Sequence, residues 1–212
     1  MKKILALLCA LCLVCACASA FAKTLKPMKS EMSIKDLSDL YFNGELGDYN
    51  AKKGTIKVTL YEREPFDPEK VSTLKVGDTL VIGKKNVKIK TFDPSDGAVV
   101  INKDTDGTTY YMYYDDYGYG NYMVMNDSDR IIMRSLGKKT VKIADDFTFA
   151  DSVDAASGEP LDSPVEYTFE EFLEIRKTEE EENGIGFNYD NTVLWFDGDG
   201  NLEVVERRYV HE

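Results

Sequence analysis

Apolar and polar residues alternate along much of the chain, which is the pattern of half-buried β-strands. Ile56, Val58 and Leu60 alternate with polar neighbours, and the same period recurs at residues 87–91. Gly, Asp and Asn separate further short strand-like runs at 80–82, 99–101, 108–114, 122–125, 131–133, 141–143 and 147–149. Closely spaced short strands with turn residues between them predict an antiparallel barrel or sandwich.

Two helices are predicted among these strands. Thr168 and Glu171 form a capping box at the start of the longer one, and apolar residues then follow at helical spacing. A shorter N-terminal helix is predicted from Ser33, and residues 192–196 and 202–210 are expected to form a last hairpin. The predicted fold class is α+β, predominantly β, with one C-terminal helix-plus-hairpin unit and a short N-terminal helix.

Composition predicts how the chain is divided. Residues 23–150 form a β-rich body that includes the short N-terminal helix. Residues 151–165 are rich in Ser, Ala, Pro and acidic side chains, which is typical of a linker. Residues 166–212 form the helix plus hairpin, and we expect so small a unit to dock on the body.

The first 22 residues have the pattern of a bacterial signal peptide. Lys2 and Lys3 precede an apolar run at 4–14, which is too short to span a bilayer as a helix. Ala20 and Ala22 supply the small side chains that a signal peptidase requires, so cleavage is predicted after Ala22. No later segment is long and apolar enough for an integral membrane span.

A lipid anchor is the alternative to free secretion. Residues 14–17 resemble a bacterial lipobox, in which Cys17 would be lipidated and become the new N-terminus. Val14 stands where Leu is commoner, so we favour cleavage after Ala22. The chain is therefore expected in the extracellular space or the periplasm, and otherwise on the outer face of a membrane.

The charge of the exported chain excludes some partners. Loss of Lys2 and Lys3 with the signal peptide changes the formal net charge from −12 to −14. Such an acidic surface repels phosphate backbones and anionic lipid heads. We therefore expect no nucleic acid partner and no peripheral binding to anionic membranes.

Several chemistries lack the residues they need. All four cysteines precede residue 18, so no disulfide, thiol nucleophile or Cys-ligated metal is expected after cleavage. The single histidine, His211, is the penultimate residue, where a catalytic triad could not be held rigidly. No nucleotide-binding or cofactor-binding motif is present, so no cofactor is expected to bind. Carboxylate-based glycan hydrolysis remains possible, because it needs only two acidic side chains.

Alternating oxygen ligands near the C-terminus suggest a calcium loop. Asp197, Asp199 and Asn201 have the spacing of the first ligands of an EF-hand. However, Leu202 stands where that loop requires glycine, and Arg208 where it requires glutamate. We favour a hairpin turn over a calcium site.

A tyrosine cluster is the clearest candidate for a contact surface. Seven of the thirteen tyrosines lie between residues 110 and 122, among Asp, Gly and Asn. Recognition loops use this composition, because flat amphipathic rings give a large contact area at low entropic cost. The alternative is a hairpin whose rings only cover a sheet. The predicted binding residues are Tyr113, Tyr114, Asp115, Asp116, Tyr117, Tyr119 and Asn121.

Two further segments are expected to be structural. Trp195 lies between Leu194 and Phe196, which indicates a central strand with both faces buried. The acidic run at 179–182 is expected to be a solvated helix end that frays, because its charge opposes the helix dipole.

These observations favour a non-catalytic binding or interaction module at or outside the cell envelope. The partner is an unidentified protein or glycan. The alternatives are a carboxylate-based glycan hydrolase and a calcium-stabilised surface protein. The sequence leaves the ligand and the oligomeric state open.

Overall fold

Short strands make up most of the fold, as their spacing in the sequence predicts. The computed structural model describes residues 22–30, 32–95, 97–115, 120–154, 157–182 and 185–210. The strands within these ranges are β1 (Thr24–Leu25), β2 (Tyr41–Asn50), β3 (Thr55–Arg63), β4 (Thr79–Ile82), β5 (Lys85–Lys88), β6 (Phe92–Ser95), β7 (Ala98–Ile101), β8 (Tyr110–Tyr114), β9 (Tyr122–Asn126), β10 (Met133–Val153), β11 (Pro160–Tyr167), β12 (Thr192–Phe196) and β13 (Leu202–Arg207). The helices are α1 (Pro68–Val71) and α2 (Phe169–Glu182). The predominantly β α+β class is confirmed.

Five of the strands close into a barrel. β3, β2, β12 and β13 lie side by side, and the 21-residue strand β10 pairs with both ends of this row. Its first half, 133–142, runs antiparallel to β3, whereas 143–151 runs parallel to β13. β11 extends the sheet by pairing with the end of β10. Closure leaves the barrel strands without unpaired edges.

The barrel interior is filled by alternate residues of its strands. Phe42, Leu60, Leu194 and Val205 are buried there, together with Phe172 from α2. The capping box that begins α2 is formed as predicted, since the Thr168 amide donates to Glu171 Oε2 over 2.8 Å.

A second hydrophobic core is formed mainly by the chain between β3 and β10, together with β1 from before the barrel. Sheets β1-β4-β5 and β6-β7-β8-β9 enclose it together with α1. Its buried residues include Phe66, Leu80, Ile101, Met112 and Val124. The long excursion from the barrel therefore has a core of its own.

The short N-terminal helix predicted from Ser33 is wrong. Turns occupy 34–35 and 38–39, and β2 begins at Tyr41. Asp36 Oδ1 accepts the Ser38 amide, and Asp39 has a φ of +54°, which an α-helix cannot contain. The hydrogen bonding of the next residues to β12 outweighs their helical periodicity.

Much of the stretch with linker composition is strand, and the described residues 154 and 157–159 belong to the connection between two strands. Residues 151–153 end β10 and residues 160–167 form β11. Downstream of it, β12 and β13 are members of the barrel and not of a separate layer. The division of the chain at 151–165 stays a prediction.

A buried ion triad links β10, β13 and α2. The Arg207 guanidinium donates to Asp151 through Nε (2.9 Å) and Nη2 (2.5 Å), and its Nη1 donates to Glu179. Arg207 and Asp151 are fully buried, and Glu179 nearly so. The guanidinium also lies over the rings of Phe149 and Phe187. The expectation of a solvated helix end is therefore wrong for Glu179, because its carboxylate is buried in an ion pair with Arg207.

Removal of Asp151 is expected to destabilise the fold strongly. Asp151→Ala leaves Arg207 buried with only one carboxylate partner, and loss of one member of a buried pair costs about 3–5 kcal/mol. Urea denaturation measures this change. The control is Asp48→Ala, which removes the exposed 2.9 Å pair with Lys57 and should leave the urea midpoint unchanged. A cost below about 1 kcal/mol for Asp151→Ala would show that the triad is dispensable.

Candidate functional site

The predicted tyrosine surface is only partly described by the structure. Asp116, Tyr117 and Tyr119 lie outside the described residues. Tyr113 and Tyr114 end β8, with 37% and 42% of their surface exposed. Because neighbouring strand residues point to opposite faces, these two rings do not form one platform.

Each of these two rings contacts another ring of the cluster. The ring centroids of Tyr113 and Tyr111 are 6.4 Å apart, at an interplanar angle of 20°. Tyr114 packs edge-on against Tyr122 at 5.5 Å. Tyr111 and Tyr113 share the face opposite buried Met112, so the hairpin interpretation accounts for much of their packing.

Asp115 and Asn121, by contrast, line a cleft at the junction between the two cores. The Asp115 amide donates to the Asn121 carbonyl over 2.9 Å, which brings both ends of the β8–β9 connection together. The cleft has a volume of about 510 Å³. We call it the junction cleft and define it by Tyr41, Asn43, Tyr61, Arg63, Asp115 and Asn121.

Strand alternation places the barrel residues of the junction cleft. Phe42 and Leu60 point into the barrel core, so Tyr41 and Asn43 of β2 and Tyr61 of β3 lie on its outer face. The excursion between β3 and β10 then carries the β8–β9 connection to the same place. Alternation at 56–60 predicts β3, whereas the tertiary fold decides that β2 lies beside it and that the β8–β9 connection reaches the same place.

Four methionines complete the walls of the junction cleft. Met28 and Met32 come from the segment before β2, Met123 from β9 and Met133 from the start of β10. Unbranched thioether side chains adapt to different ligand shapes. Arg63 Nη1 contacts the Met123 sulfur at 3.7 Å, so a cation lies directly beside these apolar side chains in the cleft.

The polar groups of the junction cleft are held in place before any ligand binds. Asn43 Nδ2 donates to the Tyr189 carbonyl over 2.8 Å, and the Tyr61 and Tyr189 rings stack at 4.7 Å. Burial, and then the hydrogen bond with Glu45, raises the pKa of Tyr61 to about 12. Tyr61 is therefore a neutral hydrogen-bonding group throughout the physiological range.

Two acidic side chains of the cleft, Glu62 and Asp115, have cationic partners. Glu62 Oε1 lies 2.6 Å from Arg134 Nη2 and accepts a 2.6 Å hydrogen bond from its Nε. Asp115 Oδ2 lies 3.9 Å from Arg63 Nη1. Two carboxylates facing each other across the space for a glycosidic bond would be needed for hydrolysis. Glu62 and Asp115 are instead each paired with an arginine.

The prediction that Trp195 is buried on both faces is wrong. Leu194 and Phe196 point into the barrel, so Trp195 lies on the outer face, where 38% of its surface is exposed. Its ring stacks on Tyr41, which is 59% exposed, with centroids 4.5 Å apart and an interplanar angle of 30°. Because Leu194 and Phe196 are both apolar, the sequence pattern wrongly indicated that Trp195 is buried as well.

Charged groups fix the edge of this aromatic stack. Glu206 accepts hydrogen bonds from Arg208 Nε (2.8 Å) and Nη2 (3.0 Å), and the Trp195 side chain lies near its carboxylate. The hydrogen bonds from Arg208 lower the pKa of Glu206. We call Tyr41, Trp195, Glu206 and Arg208 the Trp195 platform; through Tyr41 it adjoins the junction cleft.

The candidate calcium loop is a hairpin turn. Asp197 Oδ1 accepts the amides of Asp199 (2.9 Å) and Asn201 (2.8 Å), and its Oδ2 accepts from Asn201 Nδ2 (2.9 Å). These hydrogen bonds, that of the Asn201 side chain first, lower the pKa of Asp197. Among the described residues, no group of three or more His, Cys, Asp or Glu side chains is placed to hold a metal ion.

Comparison with known proteins identifies no relative. No family model matches the chain, and no curated protein or solved structure was found to match it. In the part of the chain that the structure describes, no helix is long and apolar enough to cross a membrane.

Glu64, beside the cleft, makes stability depend on pH. It is 3% exposed, and burial raises the pKa of its carboxyl despite the hydrogen bond from the Gly83 amide. The folded state thus holds this proton more tightly than the unfolded state. The resulting stabilisation is complete below the ordinary pKa of 4.5 and is lost as pH rises through the folded-state value.

Glu64→Gln is therefore expected to raise the melting temperature at pH 7.5, with a difference that shrinks towards pH 4. The amide keeps the acceptor for Gly83 but cannot ionise. Glu171→Gln is the control and should lower the melting temperature at pH 7.5, because hydrogen bonds from Thr168 lower the pKa of Glu171 and so stabilise its ionised form. Thermal melts across this range measure both. A lower melting temperature of Glu64→Gln at pH 7.5 would mean that the Glu64 charge is stabilising.

Proposed function

We propose that this chain is an exported, non-catalytic binding module that acts at or outside the bacterial cell envelope through the junction cleft. Export rests on the signal-peptide pattern of residues 1–22. The observation that carries the binding function is the cleft of about 510 Å³, whose mixed lining is already ordered. Pockets with apolar walls and a few fixed polar groups are typical ligand sites.

Pre-organisation supports binding by this cleft. The stacks of Tyr41 on Trp195 and of Tyr61 on Tyr189 immobilise large ring surfaces before a ligand arrives. Rigid aromatic groups lower the entropic cost of association. The paired charges at Glu62 and Asp115 supply specificity without leaving an isolated ion to desolvate.

Capture of the exported chain from solution by two immobilised or insoluble baits tests this proposal. One bait is insoluble cell-envelope glycan, and the other is total secreted and surface protein. The double variant Arg63→Ala/Asn121→Ala should reduce capture at least about tenfold, which corresponds to 1.4 kcal/mol. These side chains contribute to the cleft but not to either hydrophobic core.

Two comparison variants locate the site. Tyr113→Ser/Tyr114→Ser should retain capture if the junction cleft binds, and should lose it if the tyrosine surface does. Lys57→Ala, at an exposed pair on another part of the barrel, is the matched control for removal of a cation. Failure of the native chain to capture either bait would contradict the binding function. Release of soluble glycan fragments would instead identify a hydrolase.

A further inference from the structure

We propose that the Trp195 platform binds a neutral glycan, with a hexose ring stacked on the aromatic pair and its hydroxyls at the Glu206–Arg208 pair. This inference rests on the proposed binding function and names its ligand. Tyr41 and Trp195 are among the most exposed large aromatic side chains of the described residues. They stack face to face on the outer face of the barrel with centroids 4.5 Å apart, so a hexose can lie on a ring face turned away from the stack.

The rim of this surface has the chemistry that a sugar needs. A hexose presents C–H groups on its ring face and hydroxyls around its edge. The C–H groups are attracted to the negative face of an aromatic ring, whose quadrupole also favours cations. The Glu206 carboxylate accepts hydrogen bonds and the Arg208 guanidinium donates them, so neighbouring hydroxyls can be bound as donor and acceptor together.

The platform is rigid because each of its members is held by another. Trp195 stacks on Tyr41, and Glu206 accepts two hydrogen bonds from Arg208. The Arg208 backbone amide donates to the Asn191 carbonyl over 2.7 Å, which fixes the chain just after β13. Little conformational entropy is left to lose when a sugar binds.

Charge and shape favour a neutral glycan over other ligands. The formal net charge of the exported chain, −14, disfavours polyanionic glycans. An apolar peptide anchor would need a concave and fully desolvated pocket, whereas this platform is exposed and has charged groups at its edge. Tyr41 also lines the junction cleft, so a longer oligosaccharide can continue from the platform to the amide of Asn43.

The single tryptophan of the sequence reports on this surface directly. Titration of the purified exported chain with cellohexaose or chitohexaose should shift Trp195 emission to the blue and saturate. Tyr41→Ala and Arg208→Ala should each weaken the apparent affinity by about tenfold. Tyr113→Ala removes an exposed aromatic of the tyrosine cluster and should leave the affinity within about twofold. Polygalacturonate should give no shift.

The outcomes separate this inference from the binding function itself. No emission change with either oligosaccharide up to about 10 mM overturns the glycan inference. If protein capture by the junction cleft persists in that case, the binding module remains and its ligand is a protein. A saturating shift that Tyr41→Ala and Arg208→Ala both leave unchanged, with melting temperatures intact, overturns the platform as the site. Loss of both capture and emission change contradicts both proposals.

Discussion

Pairing of the long strand β10 with two ends of one sheet is the constraint on which the rest of the structure depends. Its first half lies against β3 and its second half against β13 and β11, so it converts an open row of strands into a barrel. The Arg207 guanidinium stabilises the far end by joining Asp151 of β10 to Glu179 of α2. The same bonds fix where α2 packs against the barrel, and Phe172 then fills its interior.

Barrel closure also determines where a ligand can bind. The interior is filled by side chains, so the outer face is the surface left for recognition. The chain leaves this face after Arg63, builds a second core, and returns at Met133, directly opposite Arg63 in the β3–β10 register. The excursion therefore stands beside the outer face at its two points of attachment. The junction cleft is the space between them, and the Trp195 platform continues its barrel wall.

Much of the fold could be predicted from local signals. Alternation locates most strands, Gly and Asp locate their turns, and the Thr168–Glu171 capping box locates α2. The helix predicted from Ser33 fails because strand pairing and a left-handed Asp39 override a weak helical period. The candidate site was accessible only in part: Asp115 and Asn121 belong to the cleft, but their barrel partners on β2 and β3 are more than fifty positions away in sequence.

The sequence by itself determined the alternating strands, the turn at Asp197, the long helix and the acidic surface, because each depends on neighbouring residues or on composition alone. Tertiary structure decided that Glu179 is buried beside Arg207 and that Trp195 is exposed beside Tyr41. A local pattern shows that a residue is apolar or charged, but not which face of a closed sheet it occupies or which distant side chain meets it. Barrel closure settled both, because it fixed the strand order and thereby every neighbour across the sheet.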